Sequence, residues 1–310
     1  MIAFGCSITA PDVYARCAEP GMRRAAEPDS QIIANAAAGS LFRSYNLIMD
    51  SMSDREDLEA LVLVHQDAEI TDPDFCRKLR DTLRDPEVGV VGCVGAIDVR
   101  SIAWWEGSVT WASFTHRYSE LGGGEIPSLT WLPDDLPGYA RTGEVDTLDG
   151  FVLALSPWAV HNVRFDESLG QIHGYDLDFC LQVRESGRKV VTADFKVVHH
   201  HSLQLVTDPD VWIAAHMKVA EKWYGRMPGI GLPDWGAASE DWRHRARKAE
   251  AEAGATRLER VSMQLQAEAR ERQLLKELAE VTGSTSWRAT APLRRLGIAV
   301  RAWQRNGSAR

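Results

Sequence analysis

The chain has 310 residues, 45% of them hydrophobic, which suffices for one large α/β domain with an appendage or for two small domains. Its net charge of −9 is unevenly divided, −15 over residues 1–238 and +6 over residues 239–310. So acidic a body excludes nucleic-acid binding, which needs clustered Lys and Arg, and it meets a diphosphate only with help from a cation held by carboxylates.

In chain order, IAFGCSI reads as a short strand, PDVYARCAE as a helix and QIIANA as a second strand. Ser40 stands at an N-cap position, and Leu41, Tyr45, Ile48 and Met52 then recur at helical spacing. LEALVLVHQD is a nearly continuous apolar run, as expected of a central strand buried on both faces. Thr71 is the expected cap of the next helix, with Pro73 in its first turn and Phe75, Leu79 and Leu83 on its inner side. VGVVGCVGA reads as one further buried strand, and residues 100–145 as loops or an excursion from the sheet. VDTLDGFVLALSP returns to strand character, YDLDFCLQVRESG is a helix that stops at Gly187, KVVTADFKVVHHHS is strand-like and DPDVWIAAHMKVAEKWYG is an amphipathic helix. Alternation of this kind predicts a mainly parallel mixed sheet flanked by helices over residues 1–235. Residues 236–283 read as an exposed helix or short coiled coil, and residues 284–310, with six Arg and no acid, as a basic amphipathic tail.

Five scattered cysteines without a Cys-x-x-Cys pair argue against a disulfide framework or a zinc–thiolate site. They point to a reducing compartment. The first residues have no signal-peptide pattern, and no run reaches the roughly 18 apolar residues of a membrane span. A cytoplasmic protein is expected, with the tail free to meet the inner face of a membrane, its own domain or a second copy.

Several residues invite chemistry. His65-Gln66-Asp67 ends the most apolar strand, where α/β sheets bind ligands, and alternation points His65 and Asp67 the same way. Asp67 there could hold Mn²⁺ or Mg²⁺; the plainer alternative is a turn and a half-buried strand end. His199, His200 and His201 follow another apolar strand, and one of them could complete a metal shell. Asp176 lies near a helix start, whose dipole favours the ionised form that a general base needs, whereas a mere cap is the plainer alternative. Asp178 diverges from Asp176 by about 200° around a helix, and with His173 it is assigned to the sugar or acceptor side. Asp149, followed by Gly150, could present a carboxylate to sugar hydroxyls, or simply make a turn. Trp105 could stack on a sugar ring or serve the core.

The ordered set GSLFRSYN, VLVHQD, VGVVGCVGA, WWE, VDTLDGFVLA, FDESLG, HGYDLDFCLQVRESG and VVHHHS resembles a glycosyltransferase-like family related to glycosyltransferase family 2, over roughly residues 1–205. In the tail, STSWRATAPLRRL resembles a segment that follows bacterial polysaccharide glycosyltransferase domains. The resemblance implies a GT-A-type fold, a nucleotide-sugar donor and a glycan or small-molecule acceptor. It implies that HQD replaces the D-x-D metal motif with Asp67 retained, that His201 is the matching histidine ligand, and that Asp176 is the base of an inverting transfer. Asn46 would lie near the nucleotide, and Ser7 and Asp12 in the loop that contacts base and ribose. Two positions depart from the family pattern: His65 replaces Asp, and Tyr175 replaces Glu. A GT-A-like module without turnover, acting through its helical tail, is the competing reading. A nucleotidyltransferase is disfavoured because IAFGCSITAPD has no Lys or Arg.

Overall fold

The computed structural model describes residues 1–36, 39–97, 99, 109–125, 142–203, 207–223, 226 and 240–294. The chain opens with strand β1 (Ile2–Ser7), helices α1 (Pro11–Arg16) and α2 (Ala18–Ala25), β2 (Ile32–Asn35) and α3 (Leu41–Ser53). β3 (Ala60–Val64), β4 (Ala68–Ile70), α4 (Phe75–Leu83), β5 (Val88–Gly92) and β6 (Val94–Ile97) follow. Next come β7 (Val109–Ala112), β8 (Thr115–Tyr118), β9 (Gly124–Glu125), β10 (Gly143–Val145), β11 (Thr147–Leu148), β12 (Val152–Leu155) and α5 (Pro157–Asn162). The rest is α6 (Tyr175–Glu185), β13 (Lys189–Thr192), β14 (Val197–His201), α7 (Pro209–Trp223), α8 (Glu240–Gly283) and α9 (Thr285–Ala289).

Among the described residues the main sheet runs β10-β13-β5-β12-β3-β1-β2. β2, β1, β3, β5 and β13 point one way, and β12 and β10 run against them. The result is a mainly parallel mixed sheet. β3 shows why it reads as an unbroken apolar run. Leu61 and Leu63 face one core layer, with α3, α5 and α6, while Ala60, Val62 and Val64 face the other, with α2 and α4. Two smaller sheets, β11-β6-β7 and β4-β14-β8-β9, extend it.

Local sequence explains most boundaries. The Ser40 hydroxyl accepts the Arg43 N–H at 3.1 Å and starts α3, which buries Phe42, Tyr45, Ile48, Met49 and Met52. Gly187, at φ 73°, ends α6. Two expectations shift. Thr71 does not cap a helix: the N–H groups of Thr71 and Asp72 and the Thr71 hydroxyl all donate to the Lys196 carbonyl, so the chain is still tied there and α4 begins only at Phe75. VGVVGCVGA is two strands rather than one. The chain leaves the main sheet at Cys93, and a Cβ on Gly95 would come within 2.4 Å of the Thr147 carbonyl oxygen across the β6–β11 pair.

The chain divides into two compact units, Met1–Ser262 and a second beginning at Met263. In the first, the start of α8 seats Ala251 and Ala255 against Trp212 and Ala220 of α7. In the second, the Ser284 hydroxyl caps α9. The tail beyond Arg294 lies outside the described residues. Among the described residues no helix is long and apolar enough to cross a membrane.

Candidate active site

Four segments meet at the carboxyl edge of β3. The chain turns through His65-Gln66-Asp67 into β4, closed by the Ala68 N–H on the His65 carbonyl at 3.0 Å. β14 runs antiparallel to β4 with His199 opposite Ala68, and the His200 N–H donates to the Asp67 carbonyl at 2.8 Å. Because β12 is antiparallel to β3, with Val152 opposite Val64, it begins at this same edge and carries Asp149 and Gly150 there. The first turn of α6 closes the ring: an Asp176 carboxylate oxygen accepts the Gly150 N–H at 3.1 Å.

His65, Asp67 and His199 each offer one ligand atom, and these atoms all lie within 4.8 Å of one another. The Asp67 carboxylate is 3.6 Å from His199 Nε2 and 4.0 Å from His65 Nδ1. The outer nitrogen of each imidazole is held as well. His65 Nε2 meets the Tyr175 hydroxyl at 2.5 Å, and His199 Nδ1 meets His116 Nε2 at 3.2 Å. The His199 ring stacks on Phe151 at 4.5 Å. Burial pushes His65 down to about 4, so its ring is neutral and able to ligate. Burial alone would raise Asp67, but His199, then His65 and His201, more than offset it and hold the carboxyl well below the usual range. Burial alone would lower His199, but Asp67 and then Asp149 more than offset it and raise this imidazole above its ordinary value, so a cation would bind there in place of the proton. Two imidazoles, one ionised carboxylate and fixed outer nitrogens fit a divalent ion with an appetite for nitrogen.

Beside this triad stand two acids that, among the described residues, form no ion pair with Lys or Arg. Burial, then the neighbouring Asp149 carboxylate, raises Asp176 to about 7. Asp149 is raised too, chiefly by burial, and its Oδ1 accepts the Phe151 N–H at 3.1 Å. Gly150 between them is required by packing, since a Cβ there would sit 2.0 Å from the Tyr175 hydroxyl. The close approach at Gly150 is made by Tyr175.

Comparison with known proteins decides the family. The family described as "Glycosyltransferase like family" matches residues 6–221. The chain belongs to this family. Streptomycin biosynthesis protein StrF of Streptomyces griseus is 27% identical to this family member over 205 residues, 65% of this chain and 67% of that one. O-antigen biosynthesis protein RfbC of Myxococcus xanthus is 25% identical over 167 residues, which is half of this chain but only 12% of that longer protein. Among solved structures, a mannosyltransferase from Pyrobaculum calidifontis in complex with GDP-Man and Mn²⁺ aligns over 97% of this chain and 86% of its own, at 12% identity and a TM-score of 0.43.

In this glycosyltransferase-like protein the edge gathers His65, Asp67, Asp149 and Asp176. Ser7 ends β1, in parallel register with Asn35 of β2, and is half-buried. Other expected residues are placed elsewhere. His201 shares the face of His199, with ring centroids 4.8 Å apart, but its Nδ1 is taken by the Ser202 carbonyl, and His199 is the one that meets Asp67. Asn46 is spent on the Phe165 backbone, donating to its carbonyl at 2.8 Å and accepting its N–H at 3.0 Å, and so ties α3 to the segment before α6. Asp178 points away from Asp176 and is buried, accepting from Trp223 Nε1 at 2.7 Å, Gln182 and Lys222. Asp12 is exposed on α1 in a weak pair with Arg16. His173 lies near His216 of α7, 6.4 Å between rings. Trp105 falls outside the described residues.

Three contributors carry little signal in the sequence. Gln66 accepts the N–H groups of Thr9 and Ala10 at 2.9 and 2.8 Å and donates to the Thr9 hydroxyl at 2.8 Å, pinning the loop after β1 to the HQD turn. His116 and Tyr118, on β8, reach the site only through the register that sets His116 beside His199. Alternation along THRY puts both on one face, but nothing local names their partner.

Proposed function

We propose that this protein moves a sugar from a nucleotide-sugar donor to a hydroxyl acceptor, on a GT-A-type fold, with a divalent metal and inversion at the anomeric carbon. One observation carries the reading: a His65-Asp67-His199 ligand set lies at the same sheet edge as Asp176, a carboxyl held near neutrality. His65, Asp67 and His199 would hold the ion. A cation in that place supplies positive charge to a diphosphate leaving group, as a Lewis acid and template. Two imidazole ligands favour Mn²⁺ over Mg²⁺, which prefers all-oxygen shells. The acidic body supports the same need for a cation.

Asp176 takes the proton from the acceptor hydroxyl as that oxygen attacks. With its carboxyl raised to about 7, it is basic enough to accept the proton and ionised in useful fraction at neutral pH. Burial, and then like-charge repulsion from Asp149, keep it there. Gln66 fixes the loop after β1 at Thr9 and Ala10, just beyond Ser7, which is assigned to donor contact. The relatives' names, streptomycin and O-antigen biosynthesis, support an acceptor that is a secondary metabolite or a polysaccharide. Five buried, free cysteines support a reducing, cytoplasmic setting.

The test is nucleoside diphosphate release and glycosyl transfer across a panel of UDP-, GDP- and dTDP-sugars with Mn²⁺. Turnover that disappears with chelator and in Asp176→Asn is expected, with the anomeric configuration inverted by NMR. Full turnover in excess chelator, or an unimpaired Asp176→Asn enzyme, would overturn the reading.

A further inference from the structure

We infer that His116 is a positioning residue for the metal site: as a hydrogen-bond acceptor on β8 it fixes the His199 ring with Nε2 free to face Asp67. The inference rests on the metal-dependent reading above and deepens it. Its basis is a chain of contacts from Asp67 into the second sheet. The Asp67 carboxylate lies 3.6 Å from His199 Nε2, His199 Nδ1 lies 3.2 Å from His116 Nε2, and His116 Nδ1 lies 3.1 Å from the Tyr118 hydroxyl. The parallel pairing of β8 with β14 builds this chain, setting His116 directly beside His199 and Tyr118 beside His201. The rings have little freedom. His199 is stacked on Phe151, and His116 is wedged edge-on against Phe114 at 4.6 Å and Tyr118 at 5.6 Å.

Proton counting along the chain gives the direction. Between two imidazole nitrogens 3.2 Å apart, only one carries the hydrogen. If His199 Nε2 is to offer its lone pair to a cation, the hydrogen of the neutral ring sits on Nδ1 and is donated to His116 Nε2. His116 Nε2 is then an acceptor, so its own hydrogen sits on Nδ1 and is donated to the Tyr118 oxygen. The reverse arrangement, with His116 Nε2–H donating, puts the His199 hydrogen on Nε2 and blocks the ligand position. The Tyr118 hydroxyl, three groups from the metal position, can accept from His116 Nδ1 and so accommodates the first arrangement. His65 has the same design at shorter range, its outer nitrogen closed by the Tyr175 hydroxyl.

The measurement is Mn²⁺ affinity by EPR titration of the full chain, on the wild type, His116→Phe and His116→Gln. Phe keeps an aromatic ring in the wedge but offers no acceptor; Gln gives up the ring but offers an amide oxygen. Removing the outer partner of a ligating histidine weakens metal binding on the order of 10–100-fold. His116→Phe should show that loss, with the melting temperature reported alongside, and His116→Gln should recover most of the affinity. Wild-type affinity in His116→Phe, or equal losses in both variants, overturns the inference. A wild type that binds no Mn²⁺ overturns the reading beneath it as well. A second readout needs no variant: long-range ¹⁵N–¹H correlation on the wild type loaded with diamagnetic Zn²⁺ should show His116 as the Nδ1–H tautomer. An Nε2–H tautomer at His116 overturns the inference whether or not either variant folds.

Discussion

Among the described residues, the buried and half-buried acids fall into two regions that treat charge in opposite ways. Away from the carboxyl edge of β3, acids are neutralised by Lys or Arg: Asp178 by Lys222 at 2.8 Å, Asp72 by Lys78 at 2.7 Å and Glu27 by Arg80. At the edge, Asp67 has only histidines, while Asp149 and Asp176 have backbone N–H groups and each other; among the described residues no Lys or Arg forms an ion pair with any of the three. An acid with its own lysine holds the fold together. Acids gathered around imidazoles, without Lys or Arg, leave charge to be met from outside, by a cation and by a proton in transit.

That contrast is most sharply tested at Asp176. Asp176→Asn should lower transfer on the order of a thousandfold, the usual range for a general base, while donor binding persists in calorimetry. In the wild type the rate should rise with pH through about 7, as the raised carboxyl loses its proton. The stability sign is opposite to that of a salt-bridged acid. A carboxyl raised on folding destabilises the native state once pH exceeds the ordinary carboxylate range, fully so above about 7. The Asn variant should therefore be more stable at pH 8, by about 1–2 kcal/mol for a partly buried carboxyl, and show no gain near pH 4. At Asp67, substitution by Ala should weaken Mn²⁺-dependent donor binding about a hundredfold and leave the melting temperature within a few degrees, read by titration and thermal shift.

Asp178 is the converse. Asp178→Asn leaves Lys222 without its buried partner and should cost about 2–3 kcal/mol in urea unfolding. Activity per folded molecule should stay within threefold; a thousandfold loss there would erase the distinction between the two regions. The smallest effect belongs to Gln66→Ala, which frees the loop after β1. A few-fold rise in donor KM with little change in kcat is the expected result in steady-state kinetics.

Much of this was legible in the sequence because burial writes itself into local patterns. The apolar run of β3, the cap at Ser40, the stop at Gly187 and the HQD turn at a strand end all come from short-range rules. So does the separation of Asp176 from Asp178 around α6, although that rule alone did not remove Asp178 from the sugar side. What escaped depends on pairing between distant segments. Alternation puts His199 and His201 on one face, and only the antiparallel register with β4, His199 against Ala68, selects His199. Asp149 looks like a turn residue until the reversed direction of β12 carries it to the site. Asn46 sits on a helix in the expected place, yet its amide is consumed by the Phe165 backbone. The two departures from the family pattern, His65 and Tyr175, prove to be one feature: they bond to each other at 2.5 Å.

The most direct measurement is an anomalous difference map, at the manganese edge, from crystals grown with MnCl₂ and UDP. The account predicts a single strong peak at bonding distance from His65 Nδ1, an Asp67 carboxylate oxygen and His199 Nε2. A peak on other side chains, or none at saturating MnCl₂, would contradict it.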